Sequence, residues 1–257
     1  MTRQILQFVG TPSVPGLQTL DVSAAEIHVA NIDSLVYFPG LFEWDITEGK
    51  FIDRMTDKLT PTYGAADLAA RFVTLANGKR AYKPASINDT LVFPGFDTSK
   101  SFTVGFVAGA TYSIGSIQDA ANVSAVPAPW MVLSGPTAGA DFGKPWVVFG
   151  PITSGGYSNY PGAALTDTAL SAVVLIVDRV KKTISLRVNG ITTWSYSGNA
   201  VATTSVFSGL NIGVSKYAGQ ALGTRLGAIP AAAGFTSALA GEDLEMLEAM
   251  LMEAAAA

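Results

Sequence analysis

A chain of 257 residues, of which 49% are hydrophobic and only 14% charged, can bury a sizeable core and is not expected to be disordered over most of its length. Its net charge of −4, with no basic run beyond the pair Lys181 and Lys182, excludes a surface built to neutralise a phosphate backbone. The absence of cysteine excludes disulfides and thiolate chemistry, and a single histidine excludes a His-rich metal site.

The first 32 residues predict an extended N-terminal arm. Prolines and glycines interrupt its short apolar pieces, and no stretch has the length of a signal peptide's apolar region. We expect the arm to lie on its own domain or on a neighbouring subunit, with assembly contacts from Ile5, Leu6, Phe8 and Val9. His28, in the same arm, is expected to be a surface or packing residue.

From residue 33 onward the pattern is short strands separated by turns. The predicted strands are 35–38, 41–46, 72–76, 90–93, 101–109, 130–135, 145–150, 172–179, 183–190, 191–198 and 208–216. The segment 172–190 is the strongest hairpin, with a turn at 178–182, and Asn189-Gly190 predicts a tight turn into the next strand. Residues 109–129 and 151–170, rich in Gly, Ala, Ser and Pro, predict long loops. The longest apolar run, 172–177, is too short to cross a membrane.

A C-terminal helix is predicted over residues 241–257. Two acids stand in its first turn, where they favour the helix dipole, and leucines recur at helical spacing. We expect Leu247 and Leu251 on this helix to dock on adjacent subunits.

Several of these pieces together resemble the concanavalin A-like jelly rolls of the laminin-G-like type. The strand 101-SFTVGFVA-108, the hairpin 172-AVVLIVDRVKKTISLRVNG-190, the strand 210-LNIG-213 and the segment 235-FTSALAGEDLEML-247 follow the order typical of that group, and 44-WDITEGKFIDRMT-56 resembles its opening segment. The resemblance covers about residues 33–252. It implies an all-β, two-sheet antiparallel jelly-roll sandwich over 33–257, with the arm at 1–32 outside it. Because members of this group have many functions, the resemblance does not fix one.

Three acids, Glu43, Asp45 and Glu48, form the first candidate site. Their E-x-D-x-x-E spacing resembles the catalytic strand of laminarinase-type glycosidases, which need paired carboxylates about 5 Å apart. In those enzymes the motif lies near the middle of the domain, whereas here it falls at the opening strand of the sandwich. We therefore expect Trp44 and Ile46 to face the core and the acids to face solvent or a neighbour.

Two binding sites remain as candidates. Calcium would take oxygen ligands from Asp53, Asp57, Asn88, Asp89 or Asp97, although these acids form no D-x-D-x-D cluster. A glycan would contact Tyr157, Asn159 and Tyr160, because flat rings beside an amide suit sugars; the same loop also suits a turn packed on a neighbour.

These observations lead to three hypotheses of function. The first is a non-catalytic structural protein of a bacteriophage virion, such as a capsid decoration protein or tail appendage. It would be assembled in the host cytoplasm, would form a homo-oligomer, and would dock on other virion subunits through its arm and helix. The second is a carbohydrate-binding module of a phage tail or cell surface. The third is a glycosidase that uses Glu43, Asp45 and Glu48.

Overall fold

In a computed structural model of the chain, the residues whose placement is described are 23–37, 42–45, 50–53, 59–60, 62–63, 69–75, 80–83, 90–94, 100–109, 113–117, 130–134, 140, 142–149, 157–159, 163–166, 169–201, 209–213, 216–217, 220–221 and 228–256. They include two α-helices, α1 (Ala24–Ala30) and α2 (Gly241–Ala255). The strands, in chain order, are β1 Leu35–Tyr37, β2 Phe42–Asp45, β3 Lys50–Asp53, β4 Leu59–Thr60, β5 Thr62–Tyr63, β6 Phe72–Thr74, β7 Arg80–Tyr82, β8 Thr90–Pro94, β9 Phe102–Ala108, β10 Ser113–Ile117, β11 Trp130–Ser134, β12 Pro145–Phe149, β13 Tyr157–Asn159, β14 Ser171–Asp178, β15 Thr183–Val188, β16 Ile191–Ser197, β17 Gly209–Gly213, β18 Lys216–Tyr217, β19 Gln220–Ala221 and β20 Ala232–Phe235.

Two large antiparallel sheets form a β-sandwich, which confirms the predicted fold class. One sheet has six strands in the order β1-β20-β9-β14-β15-β16, and the other has seven in the order β13-β12-β11-β10-β17-β8-β5. Three small sheets accompany them, made of β2-β3-β4, β6-β7 and β18-β19. Since β20 lies between β1 and β9, the C-terminal strand closes against the start of the domain.

The strands β14, β15 and β16 form the predicted three-strand meander. The pairing runs from Val173 opposite Val188 to Asp178 opposite Thr183. At the second turn Asn189 and Gly190 have φ of 49° and 77°, the left-handed pair that a two-residue hairpin requires. The Asn189 side chain also accepts a hydrogen bond of 2.9 Å from the Ala172 N–H, so the turn is attached to the first residues of β14.

Helix α2 packs on the outer face of the six-stranded sheet. Leu247 and Leu251 are both 0% exposed and belong to one buried cluster with residues of β9, β14 and β20. The helix approaches β9 so closely that a Cβ on Gly105 would lie 2.7 Å from Leu251 Cδ1. Leu247 and Leu251, expected to dock on neighbouring subunits, instead fill the core of their own chain, because alternate positions of β9 and β14 present an apolar surface to the helix.

The last third of the predicted arm is a helix packed on the domain. Helix α1 begins with a capping box, in which Ser23 Oγ accepts from the Glu26 N–H (3.1 Å) and the Glu26 carboxylate accepts from the Ser23 N–H (2.8 Å). Ala25, Val29 and Ala30 are buried in the same cluster as α2. Residues 23–32 are therefore part of the folded domain, whereas Ile5, Leu6, Phe8 and Val9 lie outside the described residues.

Each of the eleven predicted strands coincides with a strand of the structure, while other described strands were missed. Two of the missed strands, β10 and β13, fall inside the stretches predicted to be loops. A third difference concerns β2, which carries Glu43 and Asp45. It pairs with β3 in a small sheet, and the first strand of the sandwich is β1.

No helix within the described ranges is long and apolar enough to span a membrane.

Candidate functional site

The predicted glycan residues lie at one edge of the seven-stranded sheet. Tyr157 and Asn159 are the first and last residues of β13, which pairs only with β12 in the described sheet. Tyr157 stands opposite Phe149, and Asn159 stands opposite Val147. Positions two apart in a strand fall on the same face, so the aromatic and amide positions are side by side on an edge strand. Tyr160 is outside the described residues.

The acid triplet is not part of either large sheet. Glu43 stands opposite Ile52, and Asp45 stands opposite Lys50, a pairing of opposite charges across the β2–β3 hairpin. Glu48 lies outside the described residues. Glu43 and Asp45 thus belong to a small three-stranded sheet, in which Lys50 is the cross-strand neighbour of Asp45.

The described residues do not bring the calcium candidates together. Asp53 ends β3 opposite Phe42, whereas Asp57, Asn88, Asp89 and Asp97 lie outside the described ranges. Within those ranges no three residues of the His, Cys, Asp and Glu types form a group that could hold a metal ion.

A buried ion pair that the sequence did not predict joins the six-stranded sheet to α2. The Arg187 guanidinium donates from Nε to Glu248 Oε1 (2.5 Å) and from Nη2 to Glu248 Oε2 (3.0 Å). The same side chain donates to Thr192 Oγ1 (2.8 Å) and to the Gly190 carbonyl. Strand alternation could have indicated that Arg187 lies on the face covered by α2, because Arg187 pairs with Val174, which faces the helix. Its partner on α2 could not be found from sequence spacing.

The burial of this ion pair indicates that it holds α2 on the six-stranded sheet. The side chains are 23% and 6% exposed, and a carboxylate as buried as Glu248 requires a countercharge. The hydrogen bonds to Glu248, followed by its charge, raise the pKa of Arg187 against the opposing effect of burial. A raised pKa means that the contribution of Arg187 to stability is complete below the ordinary arginine pKa and is lost only above it. Four of the five N–H donors of Arg187 are used in these contacts and Glu248 neutralises its charge, so the role of Arg187 is structural.

A shallow groove runs between the two helices. Its lining includes Ile27, His28, Asn31 and Asp243, and it encloses about 440 Å³. His28 Nε2 lies 2.8 Å from Asp243 Oδ1, and both side chains are partly exposed. The expectation that His28 is a surface or packing residue agrees with this contact. The groove is open, and its polar groups already pair with each other or, for Asn31, with the Ile27 carbonyl.

No protein-family profile matches the sequence, and no curated protein matches it either. Solved structures do resemble it. A structure of botulinum neurotoxin type C, whose cell entry is described as dependent on interaction with two ganglioside molecules, superposes with a TM-score of 0.56 at 11% identity, covering 89% of this chain and 53% of the toxin chain. The binding domain of Paraclostridial mosquitocidal protein 1 gives 0.55 at 12% identity, with 86% and 52% covered. The binding domain of botulinum neurotoxin DC, in complex with SialylT, gives 0.55 at 10% identity, with 87% and 52% covered.

The likeness shows a shared fold. This chain spans about half the length of those toxin chains, and it aligns over most of its own length. Two of these three structures are named as binding domains. At 10–12% identity, the ligands of those proteins do not identify a ligand of this chain. The likeness shows that the chain is a β-sandwich of the same architecture.

Proposed function

We propose that this chain is a non-catalytic carbohydrate-binding module that uses β13 at the edge of the seven-stranded sheet. The observation that carries the proposal is the placement of Tyr157 and Asn159 at alternate positions of an edge strand in this sandwich. An aromatic ring offers a flat apolar face to the C–H groups of a sugar, and an amide offers a donor and an acceptor to its hydroxyl groups. The fold shared with these toxin structures supports this proposal, since cell entry of the type C toxin depends on two ganglioside molecules and the DC binding domain is in complex with SialylT.

The competing hypotheses have less support from the described residues. A virion protein that docks through its C-terminal helix would need an apolar face of α2 free, and Leu247 and Leu251 are buried against their own sheet. A glycosidase would need its acids in a cleft, and β2, which carries Glu43 and Asp45, belongs to a small three-stranded sheet and to neither large sheet. Docking through Ile5, Leu6, Phe8 and Val9 stays a prediction, because those residues are outside the described ranges.

The test is a glycan array probed with the purified chain, followed by titration of the best ligand against variants of Tyr157. Removing the ring in Tyr157→Ala is expected to weaken binding at least about tenfold, or about 1.4 kcal/mol, as for a residue at the centre of a binding surface. Tyr157→Phe keeps the ring and should retain most of the affinity. No binding to any sialylated or neutral glycan would refute the proposal, and equal affinity of Tyr157→Ala and wild type would move the site away from β13.

Hydrolysis distinguishes a binding module from a glycosidase. We expect the same glycans to be recovered intact after incubation with the chain. If they are cleaved, and Glu43→Gln abolishes the cleavage, the glycosidase hypothesis replaces this one.

A further inference from the structure

The six-stranded sheet ends in two unlike edges. At one edge β1 has three residues and an irregular register with β20. At the other edge β16 has seven residues, contains no proline and no charged side chain, and pairs only with β15 among the described strands; its register with β15 is regular over Trp194–Ser197 and shifts between Thr192 and Trp194. Proteins ordinarily protect a free edge with short strands, prolines or charges, because unpaired backbone groups recruit other strands. The β1 edge is short and irregular, whereas β16 presents a regular stretch at Trp194–Ser197 that has neither charge nor proline.

The backbone groups that point outward from β16 can be assigned from its ladder. Hydrogen-bonding groups alternate along an antiparallel strand between the two sides. The Gly198 N–H donates to the Lys182 carbonyl at 3.0 Å, so residues in step with Gly198, namely Tyr196 and Trp194, direct their backbone groups to β15. Ser195 and Ser197 therefore direct N–H and C=O groups away from the sheet, where no strand within the described ranges receives them.

We propose that this edge pairs with the same edge of a second copy of the chain, so that two six-stranded sheets join into one across a two-fold axis at Ser195. Antiparallel pairing of a strand with itself gives an isologous interface, in which each residue meets the same set of partners in both copies. With the axis at Ser195, Trp194 of one copy stands opposite Tyr196 of the other, twice. Cross-strand aromatic pairs stabilise a sheet, so this register is favoured by side chains as well as by backbone bonds.

Two further observations favour a second copy as the occupant. The strand Ile191–Ser197 is uncharged, so self-pairing places no like charges across the axis. The ends of the edge carry two strongly exposed apolar side chains, Ile191 (68%) at its start and Val180 in the turn next to its end. In the proposed register the start of β16 in one copy meets the end of β16 in the other, so Ile191 of one copy and Val180 of the other lie at the same end of the interface.

Because the chain contains no cysteine, cross-linking through one introduced cysteine tests the proposed dimer directly. Ser195→Cys places a single thiol at the proposed axis, and Ala164→Cys places a matched thiol in an exposed segment elsewhere. Under mild oxidation Ser195→Cys should form a disulfide-linked dimer much faster than Ala164→Cys. Equal rates for the two variants would overturn the proposal.

Mass measurement by analytical ultracentrifugation provides the second test. From about 1 to about 100 µM, the range in which small interfaces associate, the wild-type chain should pass from monomer to dimer. Ser195→Lys places two like charges on residues whose Cα atoms would lie about 5.5 Å apart at the axis and should raise the dissociation constant at least about tenfold. Ala164→Lys adds the same charge away from the edge and should leave the constant unchanged.

Ser195→Pro removes the outward N–H without removing a bond to β15, and should also prevent dimerisation. Circular dichroism should be the same for all four chains, because none of these changes touches the core. A monomer at about 100 µM, or a dimer that Ser195→Lys weakens no more than Ala164→Lys does, would overturn the proposal. The outcome is independent of glycan binding, which is proposed for the other sheet.

Discussion

The outer face of the six-stranded sheet and its β16 edge differ in how completely the described residues cover them. The helices α1 and α2 cover the face, where Leu247 and Leu251 are buried and Glu248 pairs with Arg187. The edge keeps the backbone groups of Ser195 and Ser197 directed outward. This contrast indicates that substitutions on the face should cost stability, while substitutions at the edge should change association and leave stability nearly unchanged.

The largest expected effect comes from breaking the ion pair under α2. Glu248→Ala leaves the Arg187 guanidinium buried without its countercharge and should lower the free energy of unfolding by about 3 kcal/mol, the lower end for buried pairs, because Arg187 keeps some contact with water. Urea denaturation measures it. The matched double variant, Arg187→Leu with Glu248→Leu, should recover much of the loss, since a well-packed apolar pair replaces two buried charges. A loss below about 1 kcal/mol for Glu248→Ala would place this pair among weak surface contacts.

A smaller loss is expected where α2 touches β9. In Gly105→Ala the new methyl group meets Leu251 Cδ1 at 2.7 Å and Leu247 at 3.2 Å, so the helix must shift or the leucines must change rotamer. Overpacking of this kind costs about 1–3 kcal/mol. Combining Gly105→Ala with Leu251→Ala makes room for the methyl group, so the two free-energy losses should sum to more than that of the double variant. Strict additivity would show that α2 does not pack as closely on Gly105 as described.

The smallest expected effect is at the start of α1. Ser23→Ala removes the side-chain acceptor of the capping box and should cost about 1 kcal/mol, whereas Ser23→Asp keeps an acceptor and should cost less. Amide hydrogen exchange in α1 is the local readout, because Ser23→Ala should speed exchange there more than in α2. Equal exchange in both variants would mean that packing of Val29 and Ala30, not the cap, holds the helix.

Much of the fold could be predicted from local pattern, and the elements that could not be are those that depend on distant partners. The alternation in β15 and the Asn189-Gly190 turn predicted the meander, since both signals lie within a few residues. In contrast, β13 has three residues without any period, and it is a strand because β12 pairs with it. The leucines of α2 showed that the helix has an apolar face, but only the surface formed by β9, β14 and β20 determined that the face is buried within the chain.

For the candidate site, the sequence predicted the residue types but not their surroundings. Tyr157, Asn159 and Tyr160 were singled out by chemistry, and the edge position of the first two required the sheet order. The spacing of Glu43, Asp45 and Glu48 resembled a catalytic strand, although the strand that carries Glu43 and Asp45 belongs to a small separate sheet. Arg187 and Glu248, which are 61 residues apart, could not be paired without the structure.

The comparison of two asparagines tests the proposed function most directly. Asn159 lies at the edge of the seven-stranded sheet, whereas Asn199, exposed near the far end of β16, binds Lys182 Nζ at 2.8 Å. In titrations of the best array ligand, Asn159→Ala should weaken glycan binding by about 1 kcal/mol or more, the cost of losing hydrogen bonds to the ligand, and Asn199→Ala should bind like wild type. Equal affinity of the two variants would contradict a glycan site on β13.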